Sequence, residues 1–104
     1  MGANENKRSG RALQSEVAKN WNGKNTGTLG GEDVEHPIFS IECKHRNRRT
    51  ELQTFLEQAE RHCPPDKTAL VVFHQKGQRH AQDLVVLRRK EFEELFGSLI
   101  WGEE

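Results

Sequence analysis

The chain has no tyrosine, one methionine, three prolines and two cysteines, and its lysines and arginines balance its acids at 16 each. Each shortage closes a class of function. Aromatic residues make up only 7% of the chain, too few for a protein that grips single strands by stacking successive bases on its side chains. Cys43 and Cys63 lack CxxC spacing and cannot build a disulfide framework. Cys43, His45, His62, Cys63 and His74 are the residues a zinc site could draw on, and no spacing among them matches a structural site. No apolar run reaches membrane length and no secretory leader is recognisable, so a reduced, cytoplasmic protein without membrane contact is expected. With a formal net charge of zero, bulk charge gives no argument for nucleic acid. Internal repeats and low-complexity tracts are absent as well.

At 104 residues the expectation is one domain, 1–104, with residues 1–6, small and polar, fraying at the start. A hydrophobic fraction of 33% against 31% charged residues implies a thin core, which a homodimer would help to complete. Charge is clustered even though it sums to zero. Bases gather at Lys7, Arg8 and Arg11, from Lys44 to Arg49, from Lys76 to His80 and from Arg88 to Lys90, whereas Glu91, Glu93, Glu94, Glu103 and Glu104 load the end.

The stretch 31–49, GEDVEHPIFSIECKHRNRR, concentrates the chemistry. Asp33 and Glu35 precede a turn signal at His36 and Pro37, and from Ile38 to Lys44 apolar and polar residues alternate as in a strand. Side chains two apart on a strand share a face about 6.6 Å apart. Ser40, Glu42 and Lys44 then point one way, and Phe39, Ile41 and Cys43 the other. A turn with an even number of residues would pair Val34 with Phe39 and Asp33 with Ser40, bringing Asp33 to the face of Glu42 and Lys44. Two carboxylates offer hard oxygen ligands for Mg²⁺, with Mn²⁺ able to substitute. The lysine beside them can contact an attacking water or a scissile phosphate. Such an ion stabilises charge in an in-line displacement and lowers the pKa of its water, the route to phosphodiester hydrolysis near neutral pH.

Asp33, a spacer and Glu42-Cys43-Lys44 resemble the motif of the PD-(D/E)XK nuclease superfamily, and SIECKHR followed by an amphipathic helix is similar to its archaeal and phage Holliday junction resolvases. Glu32 stands where that motif often has proline before the aspartate. The resemblance implies a restriction-endonuclease-like α/β core, in which Asp33, Glu42 and the Cys43 carbonyl hold the ion and Lys44 assists the water. GRALQSEVA is similar to the resolvases' first helix, which implies that Glu16 supports the metal site and that Arg11 lies near the phosphate backbone. On the second helix it implies an accessory glutamine, for which Gln58 and Gln53 are the candidates and Gln58 the preferred one.

The rest of the chain supplies matching elements. Leu13, Val17 and Trp21 recur every four residues and predict a helix over Lys7–Trp21. NGKNTGTLGG, 22–31, is rich in turn formers but holds Thr26, Thr28 and Leu29, enough for one short strand. His45, Arg46, Arg48 and Arg49 lead into a helix over Thr50–His62 with Leu52, Phe55, Leu56, Ala59 and Cys63 on its apolar stripe, ended by Pro64 and Pro65. TALVVF, 68–73, is a continuous apolar run, the pattern of a central strand covered on both faces. A polar loop with Lys76 and Arg79 then leads to an antiparallel strand over Asp83–Leu87, and a closing helix over Arg88–Leu99 carries Phe92, Leu95, Phe96 and Leu99.

The expected architecture is therefore α-β-β-β-α-β-β-α, with one mixed five-stranded sheet and flanking helices. The expected function is a Mg²⁺-dependent endonuclease cutting four-way DNA junctions as a homodimer, phage-encoded origin being compatible with the resemblance. Its DNA contacts would be Arg11, His45, Arg46, Arg48, Arg49, Lys76 and Arg79. Three other readings stay open: a nuclease of the same superfamily acting on flaps, nicks or linear duplex, a catalytically silent DNA-binding module, and a small interaction protein whose acids and bases are only solvated.

Overall fold

The structure, a computed structural model, describes residues 3–26 and 32–102, with side chains from residue 8 onward. It is mixed α/β, and the chain divides into two compact units, Met1–Asn47 with Phe96–Glu104, and Arg48–Leu95.

In the first unit, helix α1 (Ala3–Asn20) is followed by strands β1 (Lys24–Asn25), β2 (Val34–Glu35) and β3 (Ser40–Ile41). The four-residue spacing of Leu13, Val17 and Trp21 does what it predicts. Val17 and Ala18 are buried against Val34, which is fully inaccessible, and Leu13, Trp21, Ile41 and Cys43 pack around them. The helix ends because Asn22 adopts φ 57°, while Gly23 N–H donates to the Ala18 carbonyl at 2.9 Å. This is a Schellman ending with asparagine in the left-handed position that glycine more often fills. Gly23 itself is needed for close approach: a Cβ there would sit 2.8 Å from Val34 Cγ1 and 2.9 Å from the Glu35 carbonyl oxygen.

The three strands form an antiparallel sheet in the order β1-β2-β3. The first strand lies at Lys24–Asn25 and reaches Thr26, whose N–H donates to the Asp33 carbonyl at 3.0 Å. The expected strand residues Thr28 and Leu29 lie outside the described residues. Val34 pairs with Ile41 and Glu35 with Ser40, not Val34 with Phe39 as expected; the turn signal at His36 and Pro37 does fall in the connection, residues 36–39. The register moves by two because the hairpin connection is organised by a side chain. His36 Nδ1 accepts the N–H groups of Ile38 and Phe39 at 3.1 and 3.4 Å, and its Nε2 donates to the Ile100 carbonyl at 2.5 Å. A two-residue shift keeps side chains on their expected faces, and burial does alternate from exposed Ser40 through half-buried Ile41, exposed Glu42, half-buried Cys43 and exposed Lys44 to half-buried His45.

The second unit holds helix α2 (Glu51–Arg61), strands β4 (Val71–Phe73) and β5 (Leu84–Val86), and the first part of helix α3 (Arg89–Trp101). Thr50 caps α2, its hydroxyl accepting Gln53 N–H at 3.3 Å. Leu56 is buried, and Phe55 stacks on Phe73 with ring centroids 6.2 Å apart. Arg88 grips Glu60 with two bonds, Nε and Nη2 each 2.9 Å from a carboxylate oxygen.

Two expectations fail here. Among the described residues the five strands form two separate antiparallel sheets, not one mixed sheet. Accordingly β4 pairs only with β5, and its outer face, Val72 at 60% and Val85 at 59% exposure, is open rather than covered. A continuous apolar run does not distinguish a strand covered on one face from one covered on both. The closing helix also differs from the expected stripe. It breaks at Phe96 (φ −124°, ψ 23°). Ile100 becomes the buried anchor, while Leu95, Phe96, Leu99 and Trp101 stay exposed. Past that break the last turns belong to the first unit, where Trp101 Nε1 donates to the Asn20 carbonyl at 2.6 Å.

Among the described residues no helix is long and apolar enough to cross a membrane.

Candidate active site

The carboxylate of Asp33 reaches the Glu42-Cys43-Lys44 segment by a route that simple alternation does not provide. Val34 pairs with Ile41, and Asp33 N–H also donates to the Ile41 carbonyl at 2.9 Å. Two successive residues of one strand therefore face one residue of the other, the arrangement of a β-bulge, which re-aims a side chain. The expectation that Asp33 faces Ser40 across the ladder is corrected accordingly. Instead Asp33 Oδ2 accepts the backbone N–H of Cys43 at 2.8 Å. That amide belongs to the residue between Glu42 and Lys44. Asp33 Oδ1 has no hydrogen-bond partner among the described residues.

Glu42 and Lys44 share a face, as the two-residue spacing predicts, and Lys44 Nζ lies 2.9 Å from Glu42 Oε2. Both side chains are more than half exposed, at 56% and 64%, so the pair itself adds little stability. The strand expected over Ile38–Lys44 is β3, Ser40–Ile41, alone, and Glu42 and Lys44 follow it; Ser40 Oγ donates to Glu32 Oε2 at 2.5 Å. The Cys43 side chain turns inward and packs against the Val17, Ala18 and Val34 cluster. What Cys43 offers this face is its backbone.

The chain matches no family model, no curated protein and no solved structure. Geometry alone must therefore support a functional reading.

The remaining candidates are distributed as follows. Arg11 and Glu16 lie exposed on α1, where Glu16 Oε2 accepts Asn20 Nδ2 at 2.7 Å. His45 is half-buried, and its Nδ1 is enclosed without a hydrogen-bond partner among the described residues. Arg46 is exposed, its Nη1 donating to the His45 carbonyl at 3.0 Å. Arg48, Arg49, Gln58, Lys76 and Arg79 belong to the second unit and are all exposed. Of these, Arg49 is engaged with the helix that follows it, in an ion pair with Glu57 and a 3.3 Å bond from Nε to Thr54 Oγ1. Gln58 lies on α2 near the buried-stripe residue Leu56 without sharing its burial.

Among the described residues, one group of three or more imidazole, thiol or carboxylate donors is close enough to share an ion: His74, His80 and Asp83. It excludes Glu16, Asp33 and Glu42. Sequence spacing gives His74 no partners. What brings Asp83 to it is hairpin closure, because residues flanking two paired strands, here 74 and 83, must meet.

Proposed function

We propose that the chain is a Mg²⁺-dependent DNA endonuclease of the PD-(D/E)XK type, acting on four-way junctions. The observation that carries the reading is the 2.8 Å bond from Cys43 N–H to Asp33 Oδ2, which ties the acid just before β2 to the Glu-x-Lys segment just after β3.

The donor set fits the ion. Mg²⁺ keeps several waters and needs only one or two carboxylates from the protein. Asp33, with Oδ1 unengaged among the described residues, and Glu42 would hold it together with the Cys43 carbonyl. When bound, Mg²⁺ supplies a positive centre that offsets charge developing on phosphate oxygens in an in-line displacement. Lys44 carries an exposed ammonium beside Glu42 and can orient the attacking water or offset charge on the scissile phosphate. Glu16 would act as a further base or ligand from α1. Arg11, His45 and Arg46 supply phosphate contacts in the same unit, while Arg48, Arg49, Lys76 and Arg79 give the second unit its own cations. Contacts of that kind position a duplex without reading its sequence, which suits an enzyme selecting for DNA shape.

A junction has near two-fold symmetry, and a two-fold homodimer would present two sites to opposed strands. The exposed apolar residues Phe96, Leu99 and Trp101 of the first unit support a surface for such pairing.

The deciding experiment incubates the purified chain with a labelled immobile four-way junction or the matching linear duplex, with Mg²⁺ or with chelator. Paired symmetric cuts confined to the junction and dependent on Mg²⁺ are the expected result. Cutting of both DNAs would keep the chemistry and discard the junction preference; tight junction binding without any cutting would leave only a DNA-binding module.

A further inference from the structure

The hairpin of the second unit holds a group that the nuclease reading does not use. His74 follows β4 directly and Asp83 precedes β5 directly, and His80 opens a short 3₁₀ turn between them, His80–Gln82. Asp83 is the hub. Its Oδ1 accepts His74 Nδ1 at 2.5 Å, and its Oδ2 lies 3.4 Å from His80 Nδ1. The two imidazole rings face each other with centroids 4.6 Å apart. One ligand atom from each of the three side chains lies within 4.8 Å of the others.

We infer that this group is a binding site for a divalent transition-metal ion of the zinc type. Two imidazoles and a carboxylate are the donor set of such ions, whereas Mg²⁺ and Ca²⁺ favour oxygen alone. Zinc bonds of about 2.0–2.1 Å in tetrahedral array set neighbouring ligand atoms roughly 3.3 Å apart. The His80–Asp83 separation is already close to that value. The His74–Asp83 contact is a hydrogen bond, and replacing its proton by an ion asks the two side chains to part by less than about 1 Å.

The backbone holds these ligands in place without the ion. Gln78 N–H donates to the Gln75 carbonyl at 3.0 Å, Gln82 N–H to the Arg79 carbonyl at 2.9 Å and Asp83 N–H to the His80 carbonyl at 3.0 Å. Gly77, at φ 90°, makes the reversal that other residues resist. The Asp83 side chain is 15% exposed and that of His80 88%, so the site has a sheltered base and an open mouth with room for water as the fourth ligand. A bound ion would add a further cross-link at the base of the loop that carries Lys76 and Arg79. Cys63, the thiol in the same unit, is engaged elsewhere, its Sγ 3.3 Å from the Lys67 carbonyl.

The test uses the full chain without an affinity tag, titrated with Co²⁺ as a visible probe and with Zn²⁺ by calorimetry. With excess Mg²⁺ present to fill any oxygen-ligand site, one ion per chain is expected, with a rise in the thermal midpoint. His80→Ala, which removes an exposed ring and should keep the parent's circular dichroism, should weaken binding at least about tenfold, as should Asp83→Asn. A Cys63→Ser variant should bind as the parent does, and a large excess of Mg²⁺ should leave the Co²⁺ bands unchanged. Parent-like affinity in His80→Ala and Asp83→Asn, loss of binding in the cysteine variant, or no binding at millimolar Zn²⁺ would each overturn the assignment. None of these readouts involves DNA cleavage, so the outcome is independent of the nuclease reading.

Discussion

Replacing Asp33 by asparagine and by alanine separates the two tasks assigned to its carboxylate. Oδ2 accepts Cys43 N–H at 2.8 Å in a part-buried position, and Oδ1 is left for the proposed ion. Asparagine can keep the first interaction through its amide oxygen and loses only the charge assistance, roughly 1 kcal/mol. Alanine leaves the Cys43 amide without its acceptor, at about 1–3 kcal/mol. For a chain of this size 1 kcal/mol moves the thermal midpoint by about 4–8 °C, so the two variants should be resolved in urea and thermal melts. Their cleavage should not differ. Loss of a mere supporting partner of a metal ligand costs about 10–100-fold, and loss of the ligand itself should cost at least the upper figure at fixed Mg²⁺, in both variants. Junction binding measured with chelator should survive, because either change removes negative charge facing DNA. The assay is cleavage of labelled junction across a Mg²⁺ series beside the two melts. Parent-like rates in Asp33→Asn throughout that series would refute the argument. Equal stability of the two variants would remove the structural task from Asp33.

Val34→Ala removes two fully buried methyl groups from the packing between α1 and the sheet; at about 0.8 kcal/mol each plus a small cavity, the loss should be about 2 kcal/mol by urea denaturation, and a loss under about 0.5 kcal/mol would mean the unit repacks around it. Glu60 is held below its ordinary value of 4.5 first by its hydrogen bond to Arg88 and then by that guanidinium's charge. Its folded pKa is depressed, so the contribution is fully present above the unfolded value and fades as pH falls through the folded one. The stability gap between the parent and Glu60→Gln should therefore close in acid and shrink in high salt, since both partners are more than a third exposed; a gap unchanged between about pH 7 and pH 3 would contradict the pairing. Arg46→Ala should weaken junction binding and reduce the slope of log affinity against log salt by about 0.9, the share of one phosphate that the guanidinium no longer neutralises. An unaltered slope would take Arg46 out of the interface.

How much of this could be read from residues alone depends on whether the cause is local. The α1 stripe of Leu13, Val17 and Trp21 and the alternation from Ser40 to His45 are legible, because periodicity reports burial directly. The hairpin register is not, since it is set by His36, whose ring is tethered to the Ile100 carbonyl 64 residues away. The separation into two sheets is hidden for a similar reason: TALVVF carries no mark of whether one face or two will be covered. His80 and Asp83 become visible as partners of His74 only once β4 and β5 are paired in register.

The candidate site divides along the same line. The Glu42 and Lys44 side chains are set on one face by strand geometry, which sequence spacing states outright. Asp33 arrives through an added residue in the ladder and is anchored on a backbone amide, and a backbone amide is supplied by every residue except proline. That explains why the middle position of the Glu-x-Lys segment carries no chemical signature. Its side chain answers to the core, where Cys43 packs around Val17, Ala18 and Val34, and its main chain answers to Asp33. A substitution such as Cys43→Val should therefore leave the Asp33 anchor intact, whereas proline at 43 would release the acid from the Glu42–Lys44 pair while leaving all three charged groups in the chain.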